Sequence, residues 1–192
     1  MREIALHLLD IAENSVAANA TKIEISVIED VLNDRLKAVI KDNGKGMDAE
    51  TVTRICDPFV TTRTTRKVGL GIPLLKAAAE ACGGHLTIQS NLGKGTVLEV
   101  EFIRSHIDRM PLGDLSTTFL TVVVGYPQIH WRFSYKARLS TREPEFLFDI
   151  DPIREDLEGI PFCEPEVLSF LRQLIEEGIS DIQSATGEVV KV

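Results

Sequence analysis

The stretch DPFVTTRTTRKVGLGIP, residues 57–73, places hydroxyl, basic and glycine residues directly before a predicted helix. The first turn of a helix has unpaired N–H groups and the positive end of the helix dipole, so phosphates can bind there. The same composition is also typical of an ordinary surface loop. The residues that would form a phosphate site are Arg63, Arg66, Lys67, Gly69 and Gly71.

Length and charge limit the kinds of protein that this chain can be. Its 192 residues, 44% of them hydrophobic, suffice for one domain or for a domain with a smaller companion. Residues 1–104 contain 13 basic and 14 acidic residues, whereas residues 105–192 contain 8 and 15. This balance argues against nucleic acid as a partner, because a nucleic-acid-binding surface needs a basic face.

The chain has no apolar run of membrane-spanning length and no leader-like start, so we expect a cytoplasmic protein that does not bind a membrane. Its three cysteines are widely spaced, which predicts neither a disulfide framework nor a metal cluster.

Residues 1–104 predict an antiparallel sheet with helices stacked on one face, an α+β fold. Apolar residues spaced by three and four predict a helix over 2–18, and strand alternation predicts a hairpin across Asn33 and Asp34. Asp48 is the predicted N-cap of a short helix. Pro73 and Gly83 frame the next helix, and two strands close this part.

Residues 105–192 predict a small α+β appendage. We expect a buried helix at 113–125, two strands whose aromatic face belongs to a core, and a helix over 164–178 that ends at Gly178. The chain is therefore divided into a first domain, 1–104, and an extension of unknown role, 105–192.

A polar stripe runs along the first predicted helix, formed by His7, Asp10 and Asn14. Amphipathic helices have a solvated face by construction, and this stripe fits that interpretation. The alternative is functional: the Asn14 oxygen would bind Mg²⁺, a hard cation that completes its shell with phosphate and water. Asp10, one turn away, would then accept a proton from the attacking group.

The segment DNGKGM, residues 42–47, also has two interpretations. Asn-Gly is a strong turn signal, because glycine adopts positive φ at no steric cost. Alternatively, Asp42 projects into a pocket and accepts a hydrogen bond from an exocyclic amine, while Gly44 and Gly46 let the backbone approach a flat ring.

Two common nucleotide motifs are absent from the sequence. No GxxxxGK[ST] occurs, and GxGxxG fails at Leu74. The motifs present resemble instead those of the GHKL superfamily, the ATP-binding fold of histidine kinases, anti-sigma-factor kinases, gyrase, mismatch-repair ATPases and the ninety-kilodalton chaperone. LLDIAENSVAANAT resembles its N box, DNGKGM and VGLGI its two glycine boxes, DPFVTTR its phenylalanine box, and GKGTVLEVEF its final strand.

The resemblance implies a two-layer α/β sandwich of the histidine kinase, gyrase and chaperone type that binds ATP and Mg²⁺. It implies that Asn14 binds Mg²⁺, that Asp42 receives the adenine amino group, and that Asp10 activates the nucleophile. The other residues that it implies for nucleotide binding are Gly44, Gly46, Met47, Thr62, Arg63, Arg66, Lys67, Gly69, Leu70, Gly71 and Thr96. Ala17 stands where histidine kinases commonly have a basic residue.

Two functions are left open at this point. One is a signalling protein kinase or ATPase that acts on a partner protein in trans, since the ATP-binding helix begins almost at Met1. The other is a non-catalytic, nucleotide-gated partner switch like that of anti-sigma factors. SHIDRMPL, residues 105–112, is similar to a phosphoacceptor box with His106 as the acceptor, or it is a connector. The oligomeric state is open, with a homodimer as one alternative.

Overall fold

The computed structural model describes residues 3–55 and 71–187 as helices packed on one face of a six-stranded sheet. Its helices are α1 (Ile4–Ala17), α2 (Ala49–Ile55), α3 (Gly71–Ala81), α4 (Leu115–Gly125), α5 (Ile150–Asp156) and α6 (Pro165–Thr186). Its strands are β1 (Lys22–Asp30), β2 (Arg35–Asp42), β3 (His85–Asn91), β4 (Gly95–Ile103), β5 (His130–Arg138) and β6 (Glu145–Asp149). The strand order is β3-β4-β2-β1-β5-β6.

The first four strands form the predicted antiparallel sheet. β1 and β2 pair in the register Ile25↔Ile40, and β2 pairs with β4 in the register Ile40↔Leu98. These three side chains are buried on the helix-covered face, because successive residues of a strand point to opposite faces. The predicted hairpin turn is confirmed, and Asp34 adopts a φ of 55° within it.

Local signals place the helices of this half correctly. The predicted helix over 2–18 is confirmed as α1, which buries Ile4, Leu8 and Ile11 against the core. Oδ1 of Asp48 accepts a hydrogen bond from the Thr51 N–H at 2.8 Å and so caps α2 as expected.

The C-terminal half continues the same sheet. β5 pairs in parallel with β1 from Lys22↔His130 to Asp30↔Arg138, so the sheet is mixed rather than purely antiparallel. Trp131, Phe133 and Tyr135 are fully buried, which confirms that the aromatic strand face belongs to a core. The two parts share one hydrophobic core, and the boundary after residue 104 stays a prediction.

The predicted end of the last helix is wrong. α6 continues through Gly178 to Thr186, where Gly187 ends it with a φ of 72°. A β-carbon on Gly178 would lie 2.1 Å from Cδ2 of Phe146, so the glycine lets β6 and α6 approach each other. Close packing therefore explains why residue 178 is a glycine, although the sequence alone suggests that this glycine ends the helix.

Candidate functional site

A cavity of about 320 Å³ lies between α1, the β2–α2 loop and the sheet. Its volume is at the lower end of the range for small-molecule sites. The wall is mostly aliphatic, with a few polar side chains at separate points, which suits a flat ring with a polar tail. Among its lining residues are Asp10, Asn14, Ser15, Ala17, Asp42, Lys45, Gly46, Met47, Ile72, Ile88 and Thr96.

The polar stripe of α1 faces the protein interior instead of bulk solvent. Asp10 and Asn14 are half-buried and line the cavity, while Ser15 is buried beside them. His7 is buried as well, with only 1% of its surface exposed. The solvated-face interpretation of this stripe is therefore wrong.

Asp42 is a buried carboxylate with a defined orientation. One oxygen, Oδ2, accepts a hydrogen bond from the Ser15 hydroxyl at 2.8 Å, and Oδ1 accepts one from the Gly44 N–H at 2.8 Å. The side chain is 9% exposed. Because a carboxylate has about four acceptor positions, Asp42 can still accept a donor from a ligand in the cavity.

The glycines of the β2–α2 loop allow close contacts within the protein. A β-carbon on Gly44 would lie 2.8 Å from the Ala18 carbonyl oxygen, and one on Gly46 would lie 1.9 Å from that of Asn91. The loop therefore packs closely between the end of α1 and the β3–β4 turn, where it forms a wall of the cavity.

A pair of hydroxyl groups, those of Ser90 and Thr96, lies opposite this loop. The Ser90 hydroxyl accepts from the Met47 N–H at 2.8 Å, donates to the Gly95 carbonyl at 3.1 Å and lies 2.9 Å from Oγ1 of Thr96. Since Ser90 has one proton to give, Thr96 is the donor between the two hydroxyls. The oxygen of Thr96 keeps acceptor capacity for a donor in the cavity.

The start of α3 packs directly on α1. Nδ1 of His7 lies 3.3 Å from the Gly71 carbonyl, to which it donates. Burial lowers the pKa of His7, and the opposing attraction of Asp10 and the bond to Gly71 do not outweigh it. A neutral imidazole therefore links α1 to the first residue of α3.

The structure thus brings together Asp10, Asn14, Asp42, Gly46, Met47 and Thr96, with Gly44 and Gly71 directly behind the wall. The remaining predicted site residues lie outside the described residues; they are Thr62, Arg63, Arg66, Lys67, Gly69 and Leu70.

Several lining residues have no place in the sequence prediction. Ser15 directly follows Asn14 and orients Asp42, and Ile88 lies on the inward side of β3. Ser90, on the same side of that strand, is not itself a lining residue but accepts a hydrogen bond from the Met47 N–H. The alternation of β3 was a usable signal for Ser90 and Ile88. No local signal distinguishes Lys45 from a solvated loop lysine.

A second polar cluster lies away from the cavity, at the start of α5. Nε2 of His130 is 2.9 Å from Asp149 and Nδ1 is 3.1 Å from Asp151, so these residues could hold a metal. However, Arg132 and Arg154 pair with the same carboxylates. Asp149 also caps α5, so the cluster has a structural role that accounts for it.

His106 lies at the far end of the sheet from the cavity. It follows β4 beyond Ile103, whereas Thr96 lines the cavity at the start of that strand. Seven residues of strand span roughly 23 Å, so β4 separates His106 widely from the cavity of its own chain. The connector interpretation fits this position.

In the described ranges 3–55 and 71–187, no helix combines the length and the apolar character needed to cross a bilayer.

Comparison with known proteins connects this geometry to a family. Residues 1–106 match the family model described as histidine kinase-, DNA gyrase B- and HSP90-like ATPase. A putative sensor protein of Shewanella frigidimarina is 38% identical over 103 residues, which are 53% of this chain and 16% of that protein. The sensor protein kinase FleS of Pseudomonas aeruginosa is 38% identical over 89 residues, 46% of this chain and 22% of that protein. The chain therefore matches less than a quarter of either relative.

Among solved structures, the N-terminal domain of a DNA repair protein has a TM-score of 0.54 at 16% identity, covering 77% of this chain and 52% of that one. This likeness concerns the fold alone. Since 77% of the chain exceeds the 106 residues of the family match, the shared fold includes part of residues 107–192. The predicted α+β class is confirmed.

Proposed function

Because the chain belongs to the family of histidine kinase-, DNA gyrase B- and HSP90-like ATPases, we propose that it binds Mg-ATP in the cavity and transfers the γ-phosphate to a partner protein or to water. The observation that carries this proposal is the oriented, buried carboxylate of Asp42, which shares one cavity with Asp10 and Asn14. In that arrangement, one end of the cavity suits a nucleotide base and the other end suits phosphates.

Asp42 would recognise the adenine base. Its carboxylate is fixed by Ser15 and Gly44 and keeps acceptor positions for the exocyclic amine. Guanine presents a carbonyl oxygen at the equivalent position, and two acceptors repel each other. We therefore expect ATP to bind more tightly than GTP. Asp42→Asn should reduce the ratio of the two affinities.

The donor chemistry around Asn14 fits Mg²⁺. Asn14 offers an amide oxygen and Asp10 a carboxylate, and four residues of helix separate them by about 6 Å along the axis. Magnesium uses one or two protein oxygens and completes its shell with phosphate and water. When bound, it would neutralise charge on the phosphates.

Asp10 would act on the attacking group. Its side chain is half-buried in the cavity wall and is held against the start of α3. There it can accept the proton of a hydroxyl or of water as the new bond to the γ-phosphorus forms and the bond from that phosphorus to the departing ADP breaks. Gly71 would hold the phosphate end of the cavity, and Arg63, Arg66 and Lys67 stay predicted phosphate contacts.

A nucleotide-gated binding protein is the second candidate. The acidic C-terminal half favours it, because β5 of that half pairs along the whole length of β1 and so connects directly to the ATP-binding sheet. A partner protein and a cytoplasmic location belong to the proposal in either case, and the oligomeric state stays open, with a homodimer as one alternative.

Incubation of the purified chain with γ-labelled ATP and Mg²⁺, with and without candidate partners, tests the proposal. Transfer or release of label supports phosphoryl transfer, and tight binding of intact ATP supports the partner switch. Asn14→Ala should remove Mg-dependent binding or turnover, whereas Asp10→Asn should spare binding and remove turnover. Equal losses in the two variants would refute this division of roles, and absence of ATP binding by the unaltered chain would refute the function.

A further inference from the structure

Lys45 is the only basic residue among the described residues that line the cavity. The described acidic residues of the same wall are Asp10 and Asp42. A nucleotide carries several negative charges on its phosphates, so this wall by itself repels them unless a cation offsets the two carboxylates. Lys45 is in a position to do so.

The backbone of Lys45 is held on both sides. Its N–H donates to the Ala18 carbonyl at 2.9 Å, and its carbonyl accepts from the Gly93 N–H at 2.8 Å. These two bonds fix the Cα of Lys45 between the end of α1 and the β3–β4 turn. The side chain is exposed and therefore free to orient toward a ligand.

Neighbouring lysines form ion pairs, whereas Lys45 forms none with the residues that the structure describes. Lys37 lies 2.7 Å from Glu99 and Lys41 lies 3.9 Å from Glu24. Within the described ranges no carboxylate lies in ion-pair distance of Lys45. Its charge is thus available to an anion in the cavity.

The position of Lys45 indicates which phosphate it would contact. It follows Asp42 by three residues and bonds to Ala18, which lies one helical turn beyond Asn14. Ala18 and Asn14 are separated by about 6 Å along the helix axis, a distance comparable to the four-carbon stem of lysine. The ammonium group can therefore reach the region between the base end of the cavity and Asn14.

From this geometry, and resting on the proposed function, we infer that Lys45 binds the phosphate nearest the ribose. The lysine offsets the charge of Asp10 and Asp42 and raises the affinity of nucleotides over nucleosides. It acts as a point charge on a flexible stem, so arginine can replace it in part.

Calorimetric titration of adenosine, AMP, ADP and ATP into the full chain and its Lys45→Met variant tests this inference. Methionine keeps the length and apolar stem of lysine and removes the charge. We expect affinities for AMP, ADP and ATP to fall together by roughly three- to tenfold, between the effects of an exposed ion pair and of a charge-assisted hydrogen bond. Adenosine should bind unchanged, and the loss should shrink at high salt.

Lys94→Met is the matched control, because Lys94 is exposed in the β3–β4 turn beside Gly93 and does not line the cavity. It should leave all four affinities unchanged, and Lys45→Arg should retain most of the affinity. Equal binding by Lys45→Met and the unaltered chain overturns the inference. So does an equal loss for adenosine, or a loss confined to ATP. If the unaltered chain binds no ATP, the proposed function fails instead.

Discussion

Gly71 and Asp10 are in such close contact that a β-carbon on Gly71 would lie 1.8 Å from Oδ2 of Asp10 and 2.9 Å from its Cγ. The first residue of α3 thus limits where the proposed proton acceptor can lie.

Gly71→Ala should displace Asp10 and leave intact the end of the cavity at which we propose that adenine binds. Misplacement of a catalytic group by about 1 Å can cost on the order of 100-fold in rate, so we expect turnover to fall by roughly 10- to 100-fold with little change in ATP affinity. Steady-state kinetics and titration on the same preparation measure both. Gly125→Ala is the control, since no atom lies within 4 Å of a β-carbon there. Unchanged turnover in Gly71→Ala would show that Asp10 tolerates displacement.

His7 should make folding stability depend on pH. Burial lowers its folded-state pKa below the ordinary value of 6.5. As the pH falls below that value, the unfolded chain takes up a proton that the folded chain resists, so stability is lost, by at most about 1.4 kcal/mol per pH unit. At higher pH this effect vanishes.

Urea unfolding of the unaltered chain and of His7→Asn at several pH values between 5.5 and 7.5 measures the effect. The contributions of other titrating groups cancel when the two free energies of unfolding are subtracted at each pH. Asparagine keeps a donor near the Gly71 carbonyl. The exposed, non-titrating Gln89→Asn variant is the control and should follow the unaltered chain at every pH. If the free energies of unfolding of the unaltered chain and of His7→Asn differ by the same amount at every pH, the prediction is contradicted.

Glu29 should anchor the C-terminal half to the N-terminal half. It is fully buried on β1, where it accepts from the Tyr135 hydroxyl, from Nε of Arg104 at 2.8 Å and from Oγ1 of Thr186 at 3.3 Å. Glu29→Gln removes the charge opposite Arg104, and breaking a buried pair costs about 3–5 kcal/mol. Tyr135→Phe should cost about 1–3 kcal/mol, because the carboxylate keeps its other donors.

Chemical unfolding of both variants and of the double variant tests this anchor. The double variant should lose less stability than the sum of the losses in the two single variants, since the two residues share one hydrogen-bond network. Full additivity, or a neutral Glu29→Gln, would argue that water already solvates the carboxylate.

Gly178→Ala should destabilise the chain even though alanine favours helices by about 1 kcal/mol over glycine. The new methyl would overlap the Phe146 ring, and overpacking costs about 1–3 kcal/mol. In a Phe146→Ala background the ring is absent, so the same substitution should become stabilising. Thermal unfolding of the four chains measures the reversal. Stabilisation in both backgrounds would mean that β6 moves away at little cost, and destabilisation in both would mean that the Phe146 ring is not the cause.

Part of the site could be predicted because its residues belong to short segments with strong local patterns. Asp10 and Asn14 occupy one side of a clearly periodic helix, and Asp42 ends a strand before a glycine turn. Ser15 and Ser90 could not be assigned a role, because a serine contacts Asp42 or Met47 only after distant segments meet.

The sequence by itself determined the α+β class, the elements of the N-terminal half and the nucleotide-site motifs, since helix periodicity, strand alternation and capping residues act over a few neighbours. Only the tertiary structure decided that β5 joins β1 in parallel, that α6 continues past Gly178, and that Asp10 and Asn14 of α1 face a cavity. The physical reason is separation along the chain: β1 and β5 pair residues 108 positions apart. No local preference encodes which buried faces will pack together.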